Sequence, residues 1–299
     1  MKILKLTLII LLCGTLSACN KDGNSPDITI IDKETPEDPD FLQGEIKPAA
    51  SINCFAGAYY RKAVSSKDKW RGISTKVVLP QIYYDADRPN PDKPGQYLDN
   101  FSIYLGGNVN GQETDIGLTW EVIRDAQGNV TPDRRCFRPF WRWTASGSQE
   151  SKWNNADAQN TDYHFYPGDT LTMSVALISN GMLRFEVIGH GRISHKKFSV
   201  DFECIGYTSV ANGEYKRVNA IDQVGNEGKP AQATKAKTEG TEWLETNLLR
   251  LEGSKTITVP MHSKRFTDMR CPSETNIKVT ATDADKKIGA EKVNIYGTP

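Results

Sequence analysis

The stretch that decides the fold is residues 170–188, which read TLTMSVALISNGMLRFEVI. Two runs in which apolar and polar residues alternate flank Asn180-Gly181, a dipeptide that favours the tight turn of a β-hairpin. A period of two places the apolar side chains of each strand on a single face. The stretch therefore predicts two antiparallel strands, at residues 170–178 and 182–188, with one face buried.

Strand patterns recur outward from this hairpin towards both ends of the chain. Further strands are predicted at residues 73–79, 101–105, 116–123, 137–143, 197–204, 215–221, 256–259, 276–281 and 292–296. Residues 241–251 fit either a strand or a helix, because their apolar positions match both periods in part. Many strands joined by turns, without alternating helices, indicate an all-β fold built as a large antiparallel β-sandwich. The length of the region favours large sheets of the jelly-roll kind.

The first 18 residues are typical of a secretion signal. Lys2 and Lys5 begin it, and the apolar stretch at 6–16 is shorter than the roughly 20 residues of a membrane-spanning helix. It ends in Leu16-Ser17-Ala18-Cys19, which resembles the lipobox of bacterial lipoproteins. The resemblance implies that the chain is cut before Cys19 and that Cys19 carries the lipid anchor. The alternative is an ordinary signal peptide with a cysteine at the cleavage site.

The segment behind Cys19 is polar and rich in proline. Its Lys21-Asp22 resembles the surface-export signal of Bacteroidetes lipoproteins, which implies a protein on the outer membrane that faces outward. Without that signal the same lipid anchor would leave the protein facing the periplasm. Residues 32–40 contain no apolar side chain apart from proline, so residues 19–50 are predicted to form a flexible linker. A single β-sandwich domain is then expected at 51–299.

The balance of basic and acidic residues bears on whether the protein binds nucleic acid. The whole chain has 37 Lys+Arg and 37 Asp+Glu, and loss of the signal removes Lys2 and Lys5, which leaves a formal charge of −2. Such a protein has no excess of cations for phosphates, so nucleic acid is not expected as a partner. Glycine-rich phosphate loops are absent, and His190 and His195 are five residues apart where a helical zinc motif has four. Neither a cofactor nor a metal is predicted.

Four cysteines belong to the predicted domain, namely Cys54, Cys136, Cys204 and Cys271. An oxidising compartment favours two disulfides, for which three pairings are open. Buried free thiols are an equal alternative, since cysteine is common in protein cores.

The layout of residues 115–121, 138–142 and 166–169 resembles bacterial secreted β-sandwiches of the concanavalin A-like lectin/glucanase type. The similarity covers roughly residues 55–191 and implies a fold of two large sheets. The motif Glu-x-Asp-x-x-Glu, which marks many glucanases of that type, is absent from the chain. The resemblance therefore implies the fold without that catalytic site.

Aromatic side chains are concentrated between residues 120 and 166, where four of the six tryptophans lie. Indole rings stack on the flat faces of sugars, so this concentration predicts a ligand-binding surface made of Trp153, Trp141, Trp143, Phe140, Arg138, Arg142 and Glu121. Strand alternation places Trp141 and Trp143 on one face of their strand, and the two arginines with Phe140 on the other. Trp153 is expected in a polar loop. Two alternatives to a binding surface remain open. The aromatic rings could fill the core of the sandwich, and the charged residues could form an ordinary salt bridge on a solvated sheet.

Three functions are compatible with these patterns. The first is a non-catalytic lipoprotein that binds a glycan or another extracellular ligand, such as a protein, through the aromatic surface. The second is a hydrolase of glycan or peptide in which Glu121 and Glu186 act as paired carboxylates, which requires the two to lie within about 10 Å. The third is a structural or adhesion lipoprotein of the envelope.

Overall fold

The computed structural model describes residues 40–145 and 150–298, and these ranges contain sixteen strands, one short α-helix and four 3₁₀ helices of three residues each. The strands are β1 (Ala58–Ser65), β2 (Trp70–Val78), β3 (Gln81–Tyr83), β4 (Asp99–Val109), β5 (Gln112–Val122), β6 (Arg135–Thr144), β7 (Ser151–Asn155), β8 (Thr170–Ser179), β9 (Met182–Gly189), β10 (Lys197–Glu203), β11 (Gly213–Gln223), β12 (Lys237–Glu252), β13 (Lys255–Pro260), β14 (Phe266–Cys271), β15 (Ile277–Thr280) and β16 (Glu291–Tyr296). The helix is α1 (Asp283–Lys287).

The strands form two antiparallel sheets that pack face to face. The first sheet has seven strands in the order β14-β1-β11-β4-β5-β6-β7. The second has nine strands, in the order β10-β9-β8-β2-β12-β16-β15, with β3 and β13 also paired to β12. The predicted all-β antiparallel sandwich is therefore confirmed.

The core lies between the two sheets, where the inward side chains of each strand meet. Ile103 and Leu118 of the seven-stranded sheet and Val175 and Phe185 of the nine-stranded sheet are buried there. In β9 the alternation is regular, with every second residue buried, as the period of two requires. The burial of this apolar layer supplies the main stabilising free energy of the fold.

Polar contacts also cross the core and join the two sheets. The Glu291 carboxylate of β16 accepts a hydrogen bond from Arg61 of β1 at 2.9 Å and pairs with Arg217 of β11 at 3.1 Å. The indole N–H of Trp243 in β12 donates to Asn219 of β11 at 2.6 Å. Burying a polar group costs free energy unless it is paired, so these contacts favour one arrangement of the two sheets over others.

The predicted hairpin is present, with Gly181 in the left-handed region at φ 80° and with β8 paired to β9. Residues 241–251 lie within strand β12, which settles the choice between helix and strand. Strands β1, β3, β7 and β14 are additions to the predicted set. In β1 seven of the eight residues are buried, so the alternation that marks a strand with one solvated face is missing from its sequence.

Residues 40–50, which the sequence pattern assigns to the linker, are bound to the sandwich. The side chains of Glu45 and Arg265 are both fully buried and form an ion pair at 2.8 Å. Ile46 pairs through its backbone with Lys67, and the Thr267 hydroxyl donates to the carbonyl of Ala49 at 2.5 Å. The ordered domain thus begins at least as early as residue 40. The signal, Cys19 and Lys21-Asp22 lie outside the described residues.

One disulfide is formed in the described part of the chain, between Cys54 and Cys271. Cys136 and Cys204 are free thiols, and both are buried. Burial raises the pKa of each of these two thiols to about 12, so both stay protonated at neutral pH. The sequence leaves open whether the four cysteines form disulfides or remain buried thiols, and the structure has one disulfide and two buried thiols. No helix in the described ranges is long and apolar enough to cross a membrane.

Candidate functional site

The face of the seven-stranded sheet that points away from the second sheet, here called the outer face, carries two parallel rows of side chains. Opposite residues of neighbouring strands define each row, which runs across the strands. The aromatic row consists of Lys62, Val218, Tyr104, Gly117, Phe140 and Asn155. The charged row beside it consists of Val64, Lys216, Gly106, Asp115, Arg142 and Trp153. A sheet face with so many polar groups and rings is the candidate binding surface.

The charged row is held by a network of ion pairs. The Lys216 ammonium lies 2.6 Å from Glu113 and 2.7 Å from Asp115, and Arg142 lies 2.6 Å from the other oxygen of Asp115. Burial alone would raise the pKa of Asp115, but Lys216 and Arg142 outweigh it and hold the pKa below its ordinary value. Arg142 also donates to the Ser151 hydroxyl at 2.7 Å. Two cations and two carboxylates therefore neutralise one another.

Two glycines in the middle of strands make room for the long side chains of this surface. A Cβ atom at Gly106 would lie 3.2 Å from Cε of Lys216 and 2.0 Å from the carbonyl oxygen of Thr114. A Cβ atom at Gly117 would lie 2.6 Å from Cβ of Tyr104. Glycine inside a strand often marks such a close approach. Here it lets Lys216 and Tyr104 lie across the neighbouring strands.

Three aromatic rings pack in sequence across the outer face and end at an exposed indole. Tyr104 meets Phe140 edge-on with 6.1 Å between centroids, and Phe140 stacks on Trp153 at 4.8 Å with the rings only 7° from parallel. Phe140 is 3% exposed, whereas Trp153 is 51% exposed. The stack supports one face of the indole and leaves the rest of the ring open to a ligand.

Three polar side chains of the aromatic row lack a partner among the described residues, namely Lys62, Tyr104 and, at its Oδ1 atom, Asn155. Neither the Lys62 ammonium nor the Tyr104 hydroxyl makes a hydrogen bond or ion pair with any residue in the described ranges. Burial, together with the nearby charge of Lys216, lowers the pKa of Lys62 to about 8. Burial and the nearby Asp115 raise the pKa of Tyr104 well above its ordinary value. At neutral pH the lysine is therefore mostly charged and the phenol is neutral.

Asp222 is a further carboxylate on this face and has a single hydrogen-bond donor among the described side chains. Asp222 accepts a hydrogen bond from the Ser102 hydroxyl at 2.7 Å. Burial raises the pKa of Asp222 to about 6, although the Ser102 hydrogen bond opposes that shift. At neutral pH Asp222 is thus ionised although burial disfavours its charged form.

The N-terminal segment forms one border of the outer face. Cys54 is bonded to Cys271 at the end of β14, and the ring of Phe55 stacks on Tyr60 of β1 at 4.1 Å. The backbone N–H of Phe55 donates to the Tyr60 hydroxyl at 2.8 Å. The opposite border is β7, the edge strand that carries Trp153.

The structure brings five of the seven predicted ligand-binding residues to the outer face. These are Glu121, Arg138, Phe140, Arg142 and Trp153. Glu121 accepts a hydrogen bond from Arg138 at 2.6 Å, while Arg142 binds Asp115. Trp153 lies on strand β7 and not in a loop.

The other two predicted residues lie on the opposite face of the same strand. Trp141 packs on Phe198 with 5.8 Å between centroids, and Trp143 packs on Phe202 with 5.3 Å. Both partners belong to β10 of the nine-stranded sheet, so these tryptophans fill the space between the sheets. Their assignment to the binding surface was wrong, because alternation turns them away from Phe140.

The paired-carboxylate arrangement is also contradicted. Glu121 is in β5 of the seven-stranded sheet, and Glu186 is in β9 of the nine-stranded sheet. Both project from the outside of their sheets, since their strand neighbours on either side point inward. Glu121 is held by Arg138, and Glu186 lies 3.4 Å from Lys197. The core separates the two carboxylates, so they cannot act on one bond.

Several residues of the outer face were not predicted as site residues, namely Lys62, Tyr104, Asp115, Lys216 and Asp222. Their strands pair in an order that crosses the sequence, with β11 between β1 and β4. The one local signal was a pair of mid-strand glycines, Gly106 and Gly117. Among residues 40–145 and 150–298, no group of three or more histidine, cysteine, aspartate or glutamate side chains could hold a metal ion.

Comparisons with known proteins give distant structural similarities. No protein-family model matches the chain, and no curated protein matches it. A scytalido-glutamic peptidase with a transition-state analogue inhibitor is 12% identical with a TM-score of 0.47, covering 80% of this chain and 98% of that one. A CBM2 module from the evolved Dit of Lactobacillus casei BL23 phage J-1 is 11% identical with a TM-score of 0.29, covering 62% and 63%. A β-porphyranase from the human gut bacterium Bacteroides plebeius is 13% identical with a TM-score of 0.19, covering 57% and 54%.

Proposed function

We propose that this protein is a non-catalytic binding protein that captures an extracellular glycan on the outer face of its seven-stranded sheet. The observation that carries the proposal is the indole of Trp153, which is 51% exposed and stacked in parallel on the buried ring of Phe140. A rigid ring that is already fixed loses little conformational entropy when a sugar stacks on it. Arg142 lies directly opposite Trp153 and can donate hydrogen bonds to hydroxyls at its edge.

Binding to a panel of immobilised polysaccharides tests this proposal. Trp153→Ala is expected to weaken binding at least about tenfold, since truncated aromatic anchors typically cost 2 kcal/mol or more. Trp153→Phe should keep part of the affinity. Tyr83→Ala is the matched control, because Tyr83 is an aromatic residue of similar exposure (43%) on β3 of the other sheet. Unchanged binding in Trp153→Ala, or equal losses in both alanine variants, would overturn the proposal.

We further propose that the domain is anchored to the outer membrane through a lipid on Cys19 and faces outward. The lipobox and the following Lys21-Asp22 support this placement. Cys19→Ala should release the protein from the membrane fraction. Protease added to intact cells should digest the unmodified protein, and protection of the protein until the outer membrane is opened would place it in the periplasm.

A further inference from the structure

One of the three cations in the two rows of the outer face has no ion pair with a described residue. Lys216 and Arg142 are matched by Glu113 and Asp115 at 2.6–2.7 Å. Lys62, the third cation of the two rows, has no ion pair or hydrogen bond with any residue in the described ranges. A partly buried charge without a partner is unfavourable, and a carboxylate or sulfate from outside would relieve it.

The position of Lys62 relates this charge to the tryptophan. Lys62 is at one end of the aromatic row, on β1, and Trp153 is on β7. Five strand-to-strand steps separate them in the sheet order, or about 24 Å at about 4.8 Å per step. The row between them contains Val218, Tyr104, Gly117 and Phe140. Val218, Phe140 and Tyr104 are only 0%, 3% and 8% exposed. An extended chain of sugar rings that crosses the strands along this row would therefore be held mainly by Lys62 on β1 and Trp153 on β7.

Tyr104 adds a second polar group on the same path. Its hydroxyl is free of hydrogen bonds to described residues, and it can either donate or accept one. The residue opposite it on each side is Val218 or Gly117, neither of which carries a polar side chain. Tyr104 is two strand-to-strand steps from Lys62, or about 10 Å, so a ligand chain that reaches Lys62 along the row also passes the Tyr104 hydroxyl.

We infer that the ligand is an acidic glycan, which binds Lys62 through a carboxylate or sulfate while another of its sugar rings stacks on Trp153. The inference rests on the proposed function and names the substrate class of the same site. An acidic peptide would also satisfy Lys62, but it offers no flat sugar face to the indole of Trp153. The hydrogen bonds and the ion pair to the anion are charge-assisted, which makes them stronger than those between neutral groups.

The ionic contact predicts how binding depends on pH. Lys62 is surrounded by Lys216 and Glu214 of β11 and by Glu113 and Asp115 of β5, and its pKa is lowered to about 8. The protonated form binds the anion, so affinity is expected to fall as the pH rises through about 8. A neutral glycan that uses only Trp153 should show no such fall.

Matched pairs of polysaccharides test the inference with the purified full-length protein. Polygalacturonate is compared with its methyl ester, and carrageenan with its chemically desulfated product, by titration calorimetry at pH 7. These two arms distinguish a carboxylate from a sulfate. Four variants are measured on all four polysaccharides and on polyglutamate: Lys62→Met, Lys62→Arg, Trp153→Ala and the control Lys197→Met, an exposed lysine on the opposite sheet.

At least one acidic chain is expected to bind about tenfold more tightly than its neutral partner. Lys62→Met should remove that difference, while Lys62→Arg and Lys197→Met should keep it. If Trp153→Ala weakens binding and Lys62→Met leaves it unchanged, the inference fails and the proposed function stands. If neither acidic chain binds, or if polyglutamate binds as tightly as both, the inference is overturned. If Trp153→Ala has no effect on any chain, the proposed function fails first.

Discussion

At the scale of single residues, Asp222 is a carboxylate whose burial disfavours its charged form. Its oxygen accepts one short hydrogen bond from Ser102, and burial raises its pKa from 3.8 to about 6. Because the folded-state pKa is higher than the unfolded one, the folded protein binds the proton more tightly than the unfolded chain does. The free energy of unfolding therefore falls as the pH rises from about 4 to about 6 at this residue.

Asp222→Asn is expected to stabilise the protein at pH 7.5 by about 1–2 kcal/mol, since it removes the charge and keeps an acceptor for Ser102. The gain should shrink below pH 6 and vanish near pH 4, where the carboxyl is protonated in both states. Urea unfolding across this range measures it. Asp201→Asn is the comparison: Arg184 lowers the pKa of Asp201, so loss of that charge should destabilise the protein at neutral pH. A destabilised Asp222→Asn at pH 7.5 contradicts the prediction.

At the scale of strands, alternation of apolar and polar residues predicts most of the two sheets. Strand β14 was missed although its burial alternates. The β8–β9 hairpin follows from alternation around Asn180-Gly181. Strand β1 is buried on both faces and β7 is a short, exposed edge strand, so neither shows the period of two. Alternation also separates Phe140 from Trp141, but it does not say which face looks into the core. Partners such as Lys62 and Val218, from strands 156 residues apart, become visible only when the sheet order is known.

Strand β5 provides a test of the surface that these pairings build. Gly117→Ala would place a methyl group 2.6 Å from Cβ of Tyr104 and 2.3 Å from the carbonyl oxygen of Ile103. Crowding of this kind typically costs about 1–3 kcal/mol, and the displaced Tyr104 should weaken ligand binding as well. Denaturant unfolding and the polysaccharide titration measure the two effects. Gly253→Ala meets no atom within 4 Å and should leave binding unchanged, although its φ of 60° disfavours alanine.

At the scale of the whole molecule, Glu291 holds the two sheets together by neutralising two buried arginines. Glu291→Gln leaves Arg61 and Arg217 without that charge inside the core. Removing one partner from a buried ion pair costs about 3–5 kcal/mol. The control is Glu242→Gln, whose ion pair with Lys292 is exposed and should contribute no more than about 1 kcal/mol. Similar midpoints of urea unfolding in the two variants would contradict the prediction.

The disulfide acts over almost the whole domain, because 217 residues separate Cys54 from Cys271. Closing so long a loop restricts the unfolded chain, and the double variant Cys54→Ala/Cys271→Ala is expected to lose about 4–5 kcal/mol. A reducing agent should destabilise the unmodified protein in the same way. The double variant Cys136→Ala/Cys204→Ala lacks only free thiols, so it should remain sensitive to the reducing agent.

The buried pair of Glu45 and Arg265 fixes the place on the domain from which the chain continues towards its N-terminus. Asp40 is bound at that same corner, 2.8 Å from Lys264, next to the start of β14. Strand β14 is one edge of the seven-stranded sheet and β7 is the other, six steps or about 29 Å away. Any attachment through residues before Asp40 therefore pulls on the edge farthest from Trp153. In the proposed membrane attachment, Trp153 would therefore lie on the side of the domain farthest from the membrane. A long polysaccharide could reach Trp153 there without contacting the membrane.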